Sequence, residues 1–144
     1  MPLAGVVAAV EGRLADFWSR CPVRGFQSDD GSAPLDGSAF LEVQYPYASS
    51  DQITIGAPGN NMFREEGAFR LVLNVPRDTN GRADALPWSD ELAALFRSKH
   101  FGGIPGLTGI TTWSPSSPVI DDATDDGNYL VLAIAVPYQA NFLA

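Results

Sequence analysis

The chain has 144 residues, 45% of them hydrophobic and 10% aromatic, a composition that fits one packed domain and excludes wholesale disorder or a fibrous repeat. Nine basic against seventeen acidic residues leave a net charge of -8 at pH 7, which excludes nucleic acid as a tightly held partner because that field repels phosphate backbones. The single cysteine, Cys21, can neither close an internal disulfide nor complete a two-cysteine redox or zinc motif, so a reducing compartment fits it best.

Leu3, Val6, Val7, Val10, Leu14, Phe17 and Trp18 recur at three- and four-residue spacing with Glu11, Arg13, Asp16 and Arg20 between them, which predicts an amphipathic helix over residues 3–20. Pro2 suits its first turn and Pro22 closes its end. The apolar opening lacks the basic start of a signal peptide and is far too short for a membrane span, so it reads as folded protein. Residues 25–38 carry Asp29, Asp30, Gly31, Pro34, Asp36 and Gly37 and have little to bury, which predicts a long mobile loop.

From Phe40 the period changes to two. Leu41, Val43 and Tyr45 share one face and Glu42 and Gln44 the other, predicting a short strand that Pro46 interrupts. Residues 52–55 make a second short strand, followed by a mobile, turn-rich segment at 56–61. Phe69, Leu71, Leu73 and Val75 alternate with Arg70 and Asn74 in a half-buried strand that Pro76 ends, and Gly67 marks a bulge or bend before it.

Trp88, Leu92, Leu95 and Phe96 form the stripe of a second helix. With Asp84 as N-cap it starts near Ala85, which puts Pro87 at the third helical position, where no intrahelical donor is lost. Arg97, Lys99 and His100 sit at its last turn, and Gly102 and Gly103 stop it. The β-branched Thr108, Ile110, Thr111 and Thr112 predict a strand over 107–113. After an acidic run, residues 129–136 are apolar on both alternating faces and read as a central strand. The connections around Asn61 and Asp125 are too short for parallel crossovers. The expected fold is therefore α+β: a single domain, 1–144, with a mainly antiparallel sheet of four to five strands packed against two helices in the order α-β-β-β-α-β-β.

Catalytic chemistry has little to stand on. His100, the lone histidine, reads as a capping or exposed side chain, and Cys21, just past a helix C-terminus, as structural. Gly103, Gly106 and Gly109 lack the lysine-hydroxyl ending of a phosphate loop and read as flexible loop. Asp121, Asp122, Asp125 and Asp126 lack the spacing of a helix-loop-helix calcium site and read as a solvated hairpin tip; a metal-binding hydrolase domain built on them is the enzymatic alternative. Glu65 and Glu66 are adjacent, so a strand would turn them to opposite sides, and they read as surface charge on an edge or loop. No catalytic residue, metal ligand or cofactor is assigned, and binding or assembly is the expected class.

The segment Arg64, Glu65, Glu66, Gly67, Ala68, Phe69, Arg70, Leu71, Val72, Leu73, Asn74, Val75, Pro76, with the order of the elements, resembles the tail terminator proteins of long-tailed bacteriophages and related prophages. Gly81, then Ala83, Asp84 and Ala85, then Asp90, Glu91, Leu92, Ala93, Ala94, Leu95 and Phe96 resemble the family's Ala/Leu-rich helix, and residues 129–138 its final strand. Pro87 and Trp88 depart from the smoother helix of that pattern. The resemblance implies a structural virion protein of the tail or neck, assembled in the bacterial host cytoplasm without a cofactor or membrane. It implies a ring, typically of six copies, that caps the tail tube and meets the head connector, with DNA passing through unbound. The partners expected are other copies of the chain, the tail tube protein and the connector or stopper; a head-tail stopper is the alternative. Arg64, Glu65 and Glu66, with Asp121, Asp122, Asp125 and Asp126, are the candidate assembly or lumen-facing contacts, where negative charge would keep DNA from sticking.

Overall fold

The computed structural model describes residues 4–25, 38–77, 79–102, 107–120 and 129–143. They run α1 (Ala4–Phe17), β1 (Val23–Arg24), β2 (Phe40–Gln52), β3 (Met62–Pro76), α2 (Thr79–Phe96), β4 (His100–Phe101), β5 (Leu107–Thr112), β6 (Val119–Ile120) and β7 (Tyr129–Leu143). The α+β class and the two helices are as expected, but the sheet has seven strands rather than four or five, in the order β1-β2-β3-β7-β5-β4 with β6 also on β7. The order of elements is accordingly α-β-β-β-α-β-β-β-β. Pairing is antiparallel except for the short parallel contact of β1 with β2.

β3 and β7 pair along fifteen residues each, from Met62 opposite Leu143 to Pro76 opposite Tyr129, and carry the other strands on their flanks. Phe69, Leu71, Leu73 and Val75 of β3 and Leu132, Ile134, Val136 and Tyr138 of β7 face one side. Val6, Val10 and Leu14 of α1 and Ala85, Leu92 and Phe96 of α2 pack on that side to make the main core. The helices are tied to each other by the Arg13 Nε–H, which donates to the Leu95 carbonyl at 2.8 Å, and by an edge-to-face contact of Trp18 with Trp88. The opposite face carries a smaller cluster of Phe40, Val72, Tyr129, Val131 and Ala133, with no helix over it among the described residues.

Three local expectations are corrected. Pro46 does not end its strand: β2 continues to Gln52, and the register steps from Gln44 opposite Arg70 to Tyr47 opposite Ala68, so Tyr45 and Pro46 form a bulge in which the missing proline N–H breaks no ladder bond. Residues 52–55 are accordingly not a separate strand, and only Gln52 belongs to β2. Pro87 lies inside α2, which begins at Thr79 rather than near Ala85. Ala83 and Pro87 are both exposed, so the carbonyl that Pro87 leaves without its helical donor can meet water.

α2 also ends differently. Ser98 takes the left-handed conformation (φ 51°), and the buried Thr112 hydroxyl donates to the Phe96 carbonyl at 2.5 Å, so β5 caps the helix instead of Gly102 and Gly103. His100 stands on β4, with its Nδ1 3.0 Å from the Thr111 hydroxyl. Gly109 belongs to β5 rather than to a loop: at φ 109° it sits in a bulge beneath His100, where a Cβ would lie 2.9 Å from the imidazole Nε2. Gly103, Gly106, the loop at 26–37 and the acidic residues Asp121, Asp122, Asp125 and Asp126 lie outside the described residues.

Candidate assembly surfaces

β3 divides the predicted contact residues between its two faces. Counting back by twos from Phe69 through Gly67 reaches Glu65, which therefore shares the apolar, helix-covered face and is only 3% exposed. The reading of Glu65 as surface charge is thus overturned: it lies on an inner strand, and its carboxylate accepts a hydrogen bond from the buried Tyr138 hydroxyl at 3.1 Å. Gly67 makes that pair possible, since a Cβ there would come 3.1 Å from the Tyr138 oxygen and 2.5 Å from the Tyr47 carbonyl oxygen.

Glu11 of α1 is buried as well, and the Tyr45 hydroxyl is buried with no hydrogen-bond partner among the described residues. Burial raises the pKa of Tyr45 far above its ordinary value, and the Glu11 carboxylate adds to that rise. Burial likewise raises Tyr138, reinforced by the charge of Glu65 and by its acceptance of the hydroxyl hydrogen bond. Both phenols are therefore held neutral, as donors or packing groups rather than as bases.

Arg64 and Glu66 point to the other face. Arg64 is half-buried with its Nε–H donating to the Asn141 side-chain oxygen at 3.4 Å, whereas Glu66 is exposed. Farther along the same face, Arg70 donates to the Gln44 side-chain oxygen at 3.1 Å. Arg70 also borders a groove of about 250 Å³ lined by Ser116, Val119, Ile120, Ala133 and Ala135. β6 is fastened there through Ser116, whose N–H donates to the Ala135 carbonyl while its hydroxyl accepts from the Ala135 N–H.

The loop between β2 and β3 forms a tip past the end of the paired strands. Ile55 is fully exposed on it and Ile53 partly so. Few apolar groups are available to order this segment, and polar ones take their place: the buried Asn61 amide donates to the Gly56 and Ala57 carbonyls at 3.3 and 3.2 Å and accepts from the Thr54 hydroxyl at 3.3 Å. The outer edge of β2 beyond Glu42 is unpaired among the described residues. The groove and the tip went unread in the sequence, although a signal for both is there: residues 52–63 and 101–120 contain no charged side chain.

Among the described residues no group of three His, Cys, Asp or Glu could hold a metal ion, and no helix is long and apolar enough to cross a membrane. Burial pushes the Cys21 thiol up from its ordinary value, which disfavours the thiolate a nucleophile needs.

The profile of the phage tail terminator protein family matches residues 5–138, nearly the whole chain and every long element described above. The chain belongs to the phage tail terminator family. As a tail terminator it is a structural protein of phage tail assembly, located in the virion tail. A search of curated proteins found no match. Ten solved chains match, and one of them covers 100% of the terminator and 99% of its own length at 20% identity, with a TM-score of 0.60, a likeness that speaks to the fold alone.

Proposed function

We propose that this terminator closes into a ring, typically of six copies, that caps the tail tube, ends its growth and joins the tail to the head connector. The family match over residues 5–138 carries this reading. Its two sheet borders support it: the open edge of β2 differs from the β4 and β6 border, so copies would meet head to tail through unlike surfaces, and such contacts close into a ring when the rotation allows. Assembly takes place in the host cytoplasm, with the tail tube protein and the connector as partners.

The net charge of -8 keeps DNA moving through the lumen without specific binding. Glu66, exposed on the outer face of the sheet with Arg64 on the same face, and the acidic residues Asp121, Asp122, Asp125 and Asp126 are the lumen or axial contacts in this reading; Glu65 acts inside the subunit.

Light scattering on a sizing column, followed by negative-stain imaging with tail tube protein, tests it. A mass of about 92 kDa, six copies of the 15.4 kDa chain, with rings at tube ends is the expected result. A chain that stays monomeric and leaves the tube ends bare overturns it in favour of a head-tail stopper.

A further inference from the structure

We propose that the β2–β3 tip of one copy, led by Ile55 and Ile53, seats in the outer-face groove bordered by Val119 and Ile120 of the next copy. The proposal rests on the ring reading and names the surfaces that make it.

Shape comes first. Ile55 is a fully exposed aliphatic side chain on a tip whose backbone Asn61 ties together, and it leaves apolar surface in water that a partner would remove. Val119 and Ile120 are 61% and 57% exposed at the rim of a groove whose floor includes Ala133 and Ala135, small side chains that leave room for an entering branched one.

Position keeps a copy's own tip out of its groove. The tip begins at Gln52 opposite Phe63, while the groove lies at the level of Arg70 opposite Ala135. Seven residues of extended strand separate the two levels, about 23 Å, and the tip projects away from the groove. The tip of one copy cannot reach its own groove, and because the two surfaces are different, filling the neighbour's is a head-to-tail contact.

Charge selects the occupant. Every copy carries a net charge of -8, so two copies approach against mutual repulsion and are best joined where neither brings acidic groups. The tip, residues 52–63, has no charged side chain, and the groove segment 107–120 has none. The charged side chain among the groove's lining residues is Arg70, opposite in sign to the chain as a whole. A second copy meets these conditions without any further partner.

The test is cysteine cross-linking in a Cys21→Ser background, with Ile55→Cys and Ile120→Cys singly and together, under mild oxidation with and without tail tube protein. The double variant is expected to give a ladder extending past the dimer, and each single variant no more than a dimer. Ile55→Asp and Ile120→Asp are each expected to weaken self-association about tenfold or more while leaving the thermal midpoint of the monomer unchanged, because both side chains are exposed there. Assembly into rings without the ladder, and without loss in either aspartate variant, overturns the tip-in-groove contact alone. Cross-links from Ile55→Cys to tube protein in place of the ladder also overturn it and make the tube the occupant. A chain that stays monomeric even with tube protein overturns the contact together with the ring reading.

Discussion

Glycine at position 67 has a steric reason that turns on a few tenths of an ångström. The Cβ of alanine would sit 2.5 Å from the Tyr47 carbonyl oxygen and 3.0 Å from the Ala48 Cα, both backbone atoms of the paired strand β2 that cannot swing aside. Gly67→Ala should therefore cost about 3 kcal/mol, the scale of an overpacked core, read as a lower urea midpoint. An unchanged midpoint would mean that the β2 bulge absorbs the methyl group. The phenols next to it make a prediction about alkali. Tyr45 and Tyr138 have folded-state pKa values raised above the ordinary 10.0, so the folded protein holds their protons more tightly than the unfolded chain does. Their contribution is complete below about pH 10 and is lost as pH rises through the higher folded values. Cys21, raised from 9.0, acts in the same direction from a slightly lower pH. Because the chain has four tyrosines and Lys99 as its lysine, thermal midpoints should fall steadily above about pH 9 to 10, and Tyr138→Phe should flatten that fall. An equal slope in the variant would assign the alkaline loss to other groups.

Pro87 is the clearest conflict between an element and its local sequence. It stands inside α2, exposed, where its ring removes one helical hydrogen bond. Pro87→Ala should raise stability by about 1 to 3 kcal/mol in a denaturant titration, and a loss would show that the main core depends on a bend at this point. The tip gives a second prediction. Asn61→Ala removes the contacts to Gly56, Ala57 and Thr54, and should lower hydrogen-exchange protection at 53–61 while the β3 and β7 amides keep theirs. Spread of the loss into β3 would mean that the tip and the sheet open as one unit. The same two elements mark what was legible in the sequence. The α1 stripe and the alternation of Phe69, Leu71, Leu73 and Val75 could be read because burial of one face imposes a period, and among the described residues each of these side chains is buried except Phe17. Pro46 misled because a bulge leaves no ladder bond for its missing N–H to break, and Pro87 because solvent at the Ala83 carbonyl lowers the cost of an interior proline enough for the helix to tolerate it. The short strands β1, β4 and β6 have two residues each, too few to show any period. Glu65 was misplaced because a glutamate reads as surface, although its parity with Phe69 already put it inside; the Tyr138 that receives it is 73 residues away, a pairing that only the β3–β7 register creates.

At the scale of the molecule, a surplus of eight negative charges and a pair of apolar surfaces without acidic side chains pull self-association in opposite directions. Repulsion between whole copies acts over the Debye length, about 10 Å at 0.1 M salt and about 3 Å at 1 M, whereas the proposed contact between Ile55 and the Val119–Ile120 rim would act only at touching distance and would not be screened. Raising sodium chloride from low to near-molar concentration should therefore tighten assembly, and sodium sulfate should tighten it further because excluded salts strengthen apolar burial. The slope has a definite origin. The Arg20–Glu91 pair, at 3.1 Å, lies within one copy between the end of α1 and α2, so its screening would weaken the monomer slightly and leave the contact between copies untouched. Sedimentation velocity across a salt series, run beside thermal melts of the same samples, separates the two effects. Assembly that strengthens with salt while the melting point holds or dips is the expected pattern. Assembly that weakens with salt would mean that copies are joined by ion pairs, and would move the contact to charged positions such as Arg64 and Glu66 on the outer face.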